Sequence, residues 1–204
     1  MELSLLGSLA RLGIERVDAL YLHGPQIGDL NDRTFSFFEE QKRAGRIGYA
    51  GVESGSLAVH EALIGSPIDV AMVHFSAGDL SSADLIDRLS SDGKLVVSGT
   101  ALAQSKFSYS TFAPYSPAKL WYLLRMTKKD PLWWWRGRAL AERLRETRRE
   151  PHSAAIGFVT AHPTILSSLF GSASPTHVAQ NALAGHQPLD ATYYRRICGG
   201  LVAR

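Results

Sequence analysis

Two side chains with acid–base chemistry close two apolar runs of this chain. His23 follows Val17-Asp-Ala-Leu-Tyr-Leu22, and Glu53 follows Ile47-Gly-Tyr-Ala-Gly-Val52. If the runs are neighbouring strands, an imidazole and a carboxylate meet at the strand ends and form a general acid/base pair. The plainer alternative for Glu53 is a solvated loop acid. His74 falls near the end of a third run, Ile68-Asp-Val-Ala-Met-Val-His-Phe75, and can face the same side, although a lone histidine there is more often structural. A different chemistry belongs to Gly171, Ser172, Ala173 and Ser174, just ahead of Pro175. They can present backbone amides and hydroxyls at a helix N-terminus, where phosphates bind. The same glycine turn is also what a helix start requires for its own sake. No Cys/His group has zinc-ligand spacing, so no metal is expected.

The elements that must position these groups are legible as an alternation. The three runs, with Lys94-Leu-Val-Val-Ser98 and Ile165-Leu-Ser-Ser-Leu-Phe170, are short and rich in apolar residues, and read as buried strands. Between them lie segments of helical period: Phe35, Phe38 and Ala44; Leu57, His60, Ala62 and Leu63; Leu80, Leu85, Ile86 and Leu89. Asn31 or Asp32, Ser54 or Ser56, and Ser81 or Ser82 stand where N-caps belong. Gly45, Gly65 and Gly93 stand where the helices should stop. Strand, helix, strand repeated in this way implies an α/β fold with a parallel sheet and right-handed crossovers, and the regular punctuation predicts a single domain over residues 1–204.

From Ala101 to Pro131 the rhythm breaks into a stretch rich in Ser, Pro and aromatics, followed by Trp133-Trp-Trp135. Lys119 to Met126 can supply a short helix and Gly137 to Arg149 a longer one. The tryptophans read as core or loop-packing residues, with an interface or substrate pocket as the alternative. Pro151 to Pro163 is a further helix.

Composition narrows the class. A net charge of +3 and a pI near 9.1 leave a slight basic excess, concentrated between Arg136 and Arg149. Glu142, Glu146 and Glu150 interleave with those arginines at helical spacing, the mark of a solvated helix face, so no nucleic-acid partner is expected. The one cysteine, Cys198, cannot form an internal disulfide, and no run is long enough to span a bilayer. A cytoplasmic protein without membrane contact is the expectation.

Four segments resemble one family. Leu9-Ala-Arg-Leu-Gly-Ile-Glu-Arg-Val-Asp-Ala-Leu-Tyr-Leu-His-Gly-Pro25 looks like the helix, strand and His-bearing strand end of aldo-keto reductases. Gln41 to Val52 is similar to their Lys-x-Gly-Lys-Ile-Arg-x-Ile-Gly-Val stretch. Ser153 to Pro163 resembles their penultimate helix, and Gly171 to Asn181 their final phosphate-binding turn and helix. Order and spacing together make almost the whole chain similar to the C-terminal two thirds of such a protein. The resemblance implies an incomplete (β/α)8 TIM barrel of about five parallel strands, N-terminally truncated and lacking the strands that carry the catalytic Asp, Tyr and Lys. His23 alone matches the catalytic set, in the position that orients a carbonyl.

The resemblance also implies an NADP(H) site in two unequal halves. Thr100 and Leu102 match positions that line the pyrophosphate, Gly171 to Ser174 the phosphate turn, His177 the neighbour of the adenosine 2′-phosphate, and Gln180 with Asn181 the adenine-side pair. At the nicotinamide end the family's Ser-Asn pair falls on Glu53 and Ser54, its Gln on Met72 and its stacking Tyr on Gly99. NADPH binding and no cofactor at all are therefore equally open. An oxidoreductase is expected by resemblance, but not one that reduces carbonyls as an isolated chain. A non-redox enzyme or small-molecule binder using the barrel mouth, and a noncatalytic scaffold or remnant, are the alternatives. A half barrel leaves strand edges and an apolar face uncovered, so a homo-oligomer or a complementing chain is expected.

Overall fold

A computed structural model of the chain describes residues 1–102, 117–129, 131–172 and 174–202. Helix α1 (Glu2–Leu12) leads into β1 (Val17–His23), and α2 (Asp32–Arg43) into β2 (Ile47–Glu53). There follow α3 (Leu57–Glu61), β3 (Val70–Val73), α4 (Ala83–Ser91) and β4 (Leu95–Ser98). Helices α5 (Pro117–Lys129), α6 (Trp133–Arg145) and α7 (Pro151–Thr160) come next, then β5 (Ile165–Ser168), α8 (Pro175–Gly185) and α9 (Ala191–Val202). The sheet order β1-β2-β3-β4-β5 follows the sequence, and the first three pairings are parallel. This is the α/β architecture expected, with five strands among the described residues where a closed barrel of the kind has eight.

The described residues group into two compact units. The first takes in Met1–His74, Ser82–Gly99 and Thr164–Leu166, and the second the remainder. In the first, Ala50, Val52, Ala71, Val73 and Val96 are buried on alternate strand positions, joined by Phe38, Val59, Leu63, Ile86 and Leu89 from α2 to α4 and their borders. Apolar area removed from water on this scale is the main stabilising term. Gly51 carries no side chain because Tyr21, its partner in the β1–β2 register, lays its ring there: a Cβ on Gly51 would stand 2.6 Å from that ring. In the second unit α7 is buried from Ala154 to Val159, and an aromatic column runs from Phe75 to Phe158 to Tyr194, with ring centroids 5.5 and 4.9 Å apart.

The helix borders confirm some expectations and correct others. Asn31 caps α2 by accepting from the Thr34 amide at 3.2 Å, and Ser56 caps α3 by accepting from Val59 at 3.4 Å. Gly45, Gly65 and Gly93 take the left-handed conformation. Neither Ser81 nor Ser82 caps α4, because the Ser82 hydroxyl turns away and donates to the His74 carbonyl at 2.7 Å. The tryptophans are helical, forming the first turn of α6, which begins and ends four residues earlier than its pattern suggests. The interleaved charges behave as expected at Arg138 and Glu142, whose side chains pair at 3.3 Å.

Candidate active site

Parallel pairing puts His23 directly opposite Glu53, and Glu53 opposite Met72, at the C-terminal ends of β1, β2 and β3. Register partners in a parallel sheet point to the same face, so the two functional side chains meet. His23 Nδ1 lies 2.5 Å from Glu53 Oε2 as an ion-pair contact, and His74 Nε2 donates to Oε1 at 3.2 Å. One carboxylate thus bridges two imidazoles. Glu53 is mostly buried while His23 is 86% exposed, so the pair has an anchored acid and a presented imidazole. A carboxylate lying against Nδ1 favours the proton of a neutral ring there, which leaves Nε2 as the basic nitrogen of His23. The expectation that His74 faces the same side as His23 is met through Glu53, a bond the residue spacing alone did not reveal.

The phosphate-side residues lie in the second unit. Ser174 caps α8 by accepting from the His177 amide at 3.4 Å, and its own amide donates to Ser172 Oγ at 3.1 Å. Gly171, Ser172, His177 and Gln180 are exposed, Asn181 is buried, and Thr100 and Leu102 are half-buried. Ala173 lies outside the described residues. An exposed glycine–serine turn on a helix N-terminus fits an anionic group, since the terminal amides and helix dipole favour negative charge.

A family model described as the aldo/keto reductase family matches residues 1–199. The chain belongs to the aldo/keto reductase family. A comparison with curated proteins gives no match. Among solved structures it is similar to the aldo-keto reductase AKR11C1 from Bacillus halodurans. Its holo form is 24% identical with a TM-score of 0.75 and is covered over 96% of this chain and 65% of that one. The apo form gives 24%, 0.76, 97% and 66%. The aldo/keto reductase from Klebsiella pneumoniae in complex with NADP and acetate is 19% identical, with a TM-score of 0.69 and coverage of 97% and 63%. At these identities the likeness speaks for the fold, and the chain spans less than two thirds of the length of each.

At the strand ends, the positions where the family resemblance would put a nicotinamide pack on one another. A Cβ placed on Gly99 would stand 3.4 Å from Cγ and Sδ of Met72, so the thioether packs against this glycine. Ser54 is buried and its hydroxyl accepts from the Ser56 amide at 3.1 Å. Tyr21, on the strand that carries His23, has its pKa raised by burial, the opposite of what a tyrosine acid working near neutral pH requires. The α8 turn therefore fits a nucleotide's phosphates, while the described residues at the strand ends do not fit a precisely held nicotinamide.

Sequence patterning did not single out His60 as a site residue. It lies on α3, with Nε2 donating to the Met72 carbonyl at 3.1 Å and Nδ1 buried without a hydrogen-bond partner. Burial and the neighbouring His74 push its pKa down to about 4 against a small opposing pull from Glu53, so at neutral pH it is uncharged. Its place on the apolar stripe with Leu63 was the available signal. Among the described residues no group of His, Cys, Asp or Glu can hold a metal ion, and no helix is long and apolar enough to cross a membrane.

Proposed function

We propose that this chain is a nucleotide-binding member of the aldo/keto reductase family that takes NADP(H) by its phosphates and does not reduce carbonyls alone. The observation that carries the second half is Met72 packed on Gly99, which among the described residues leaves no aromatic platform beside the His23–Glu53 pair. The Ser172–Ser174 turn on α8 supports the first half. When bound, NADP(H) supplies hydride chemistry in this family. Here His23 would orient a carbonyl oxygen, and reduction would require the Asp-, Tyr- and Lys-bearing strands from a complementing chain or a longer form of the protein. A cytoplasmic location suits such a role.

The experiment is titration with NADPH, following energy transfer from tryptophan to the reduced nicotinamide, beside an assay of aldehyde reduction. Saturable micromolar binding without turnover is expected. Turnover by the chain alone, or absence of binding in a folded sample, overturns the proposal.

A second reading is favoured by the carboxylate shared between two imidazoles. Glu53 lies against His23 Nδ1 and leaves Nε2 as the nitrogen a general base would use, and this suits a non-redox proton transfer on a small carbonyl compound. If Glu53→Gln and His23→Ala leave every detected activity unchanged, the pair has no catalytic role.

A further inference from the structure

Helix α5 is turned the wrong way for a helix that only serves a protein core. Of its described side chains Met126 is the buried one, and on the opposite side Leu120, Trp121 and Leu124 form one outward stripe, with Trp121 62% and Leu124 63% exposed. Helix α6 adds Trp135, 64% exposed, and Leu132 precedes it, also exposed. The two helices are tied together by Trp133, whose buried indole donates to Thr127 Oγ1 at 3.0 Å. Five large apolar side chains are thus offered to solvent within a few turns of one unit, far from the scattered single exposures that folded proteins tolerate.

The charge around them names the occupant. Among the described side chains, Arg125, Lys128 and Arg136 are exposed on these two helices, while Arg138 is paired with Glu142. Arg125 lies over the Trp121 ring at 5.0 Å, and Lys128 is exposed on the stripe side of α5. A second copy of the chain would set this cationic face against its own like charge. A nucleic acid would satisfy the cations but leave Leu120, Leu124 and Leu132 in water. An anionic bilayer surface satisfies both, with headgroups for the cations, and the interface for tryptophan and leucine.

We infer that the exposed Leu120–Trp121–Leu124 stripe of α5, with Leu132 and Trp135 beside it, docks the chain onto a membrane surface of anionic lipid. The helices lie on the surface and do not cross it. All four tryptophans of the chain fall between residues 121 and 135, so the intrinsic emission reports directly on this segment.

The test is co-sedimentation of the full chain with vesicles of phosphatidylcholine alone or of phosphatidylcholine with phosphatidylglycerol in equal parts, with tryptophan emission recorded on both. Capture by the anionic vesicles, a blue shift on binding and release by added salt are expected. Trp121→Ser with Leu124→Ser should lower the partition by about tenfold or more, from the apolar area withdrawn. Both residues are exposed, and circular dichroism checks that the double variant is folded. No capture by anionic vesicles, equal capture of the double variant, or capture by neutral vesicles as strong as by anionic ones overturns the inference. So does a blue shift that appears only with an oligonucleotide or only on self-association.

Discussion

His23 and Glu53 are opposite one another in the β1–β2 register, and their side chains close that relationship with an Nδ1–Oε2 distance of 2.5 Å. The acid is anchored and the imidazole presented, so the carboxylate decides which ring nitrogen of neutral His23 carries the proton. Glu53→Gln should shift that ring away from the Nδ1–H tautomer, read from its nitrogen chemical shifts. The effect on folding should stay within about 1 kcal/mol, because the imidazole is largely solvated. An unchanged tautomer balance would mean that the contact does not orient the ring.

His60 makes stability depend on acid. Its folded pKa is about 4, below the ordinary 6.5, so the unfolded chain binds the proton more readily. The associated stability is fully present above pH 6.5, falls as the pH drops toward 4, and amounts to roughly 3 kcal/mol over that window. His60→Leu should flatten this part of the profile, measured by urea unfolding at a series of pH values. A variant that keeps the wild-type slope would assign it to another group.

Gly51 and Tyr21 form a pair that should fail singly and recover together. A Cβ at position 51 would overlap the Tyr21 ring, so Gly51→Ala should cost about 1 to 3 kcal/mol in chemical unfolding. Tyr21→Ser introduced with it should return part of that loss. Additive losses in the double variant would place the strain elsewhere.

Ser82 supports the site from beneath. Its buried hydroxyl holds the His74 carbonyl at 2.7 Å, and Ser82→Ala should cost about 1 kcal/mol. It should also loosen His74 from Glu53, visible as a sharper temperature dependence of the His74 ring resonances. If those resonances match the wild type, the hydroxyl matters for α4 alone.

β2, β3 and β4 were legible because buried parallel strands must be apolar runs, and Ile47–Glu53 and Leu95–Ser98 carry little else to confuse the pattern; β1 and β5, expected to be buried as well, form strands in which no residue is buried. Register followed from the same pattern, which is why His23 and Glu53 could be expected side by side. What spacing did not disclose were choices between competing hydrogen bonds. Ser82 has the right position for a cap, yet a carbonyl two elements back takes its hydroxyl. Trp133 to Trp135 fell ahead of the helix read over Gly137 to Arg149 because three bulky aromatics behind Pro131 have weak helix preference, while the helix is held by Leu140, Ala141 and Leu144, all buried farther along. His60 looked like any polar interruption of a stripe, because solvent exclusion is a property of the surrounding layers.

Helix α7 is enclosed on every side from Ala154 to Val159, with small residues interleaved among Ile156 and Phe158. An ordinary surface helix can accept drift on its outer face while its inner face is held constant. Here no such outer face exists across those six positions, so each substitution must be answered by a neighbour. Over generations this segment should diverge more slowly than the strands' flanking loops, and a random-mutagenesis library selected for folded protein should return it nearly unaltered.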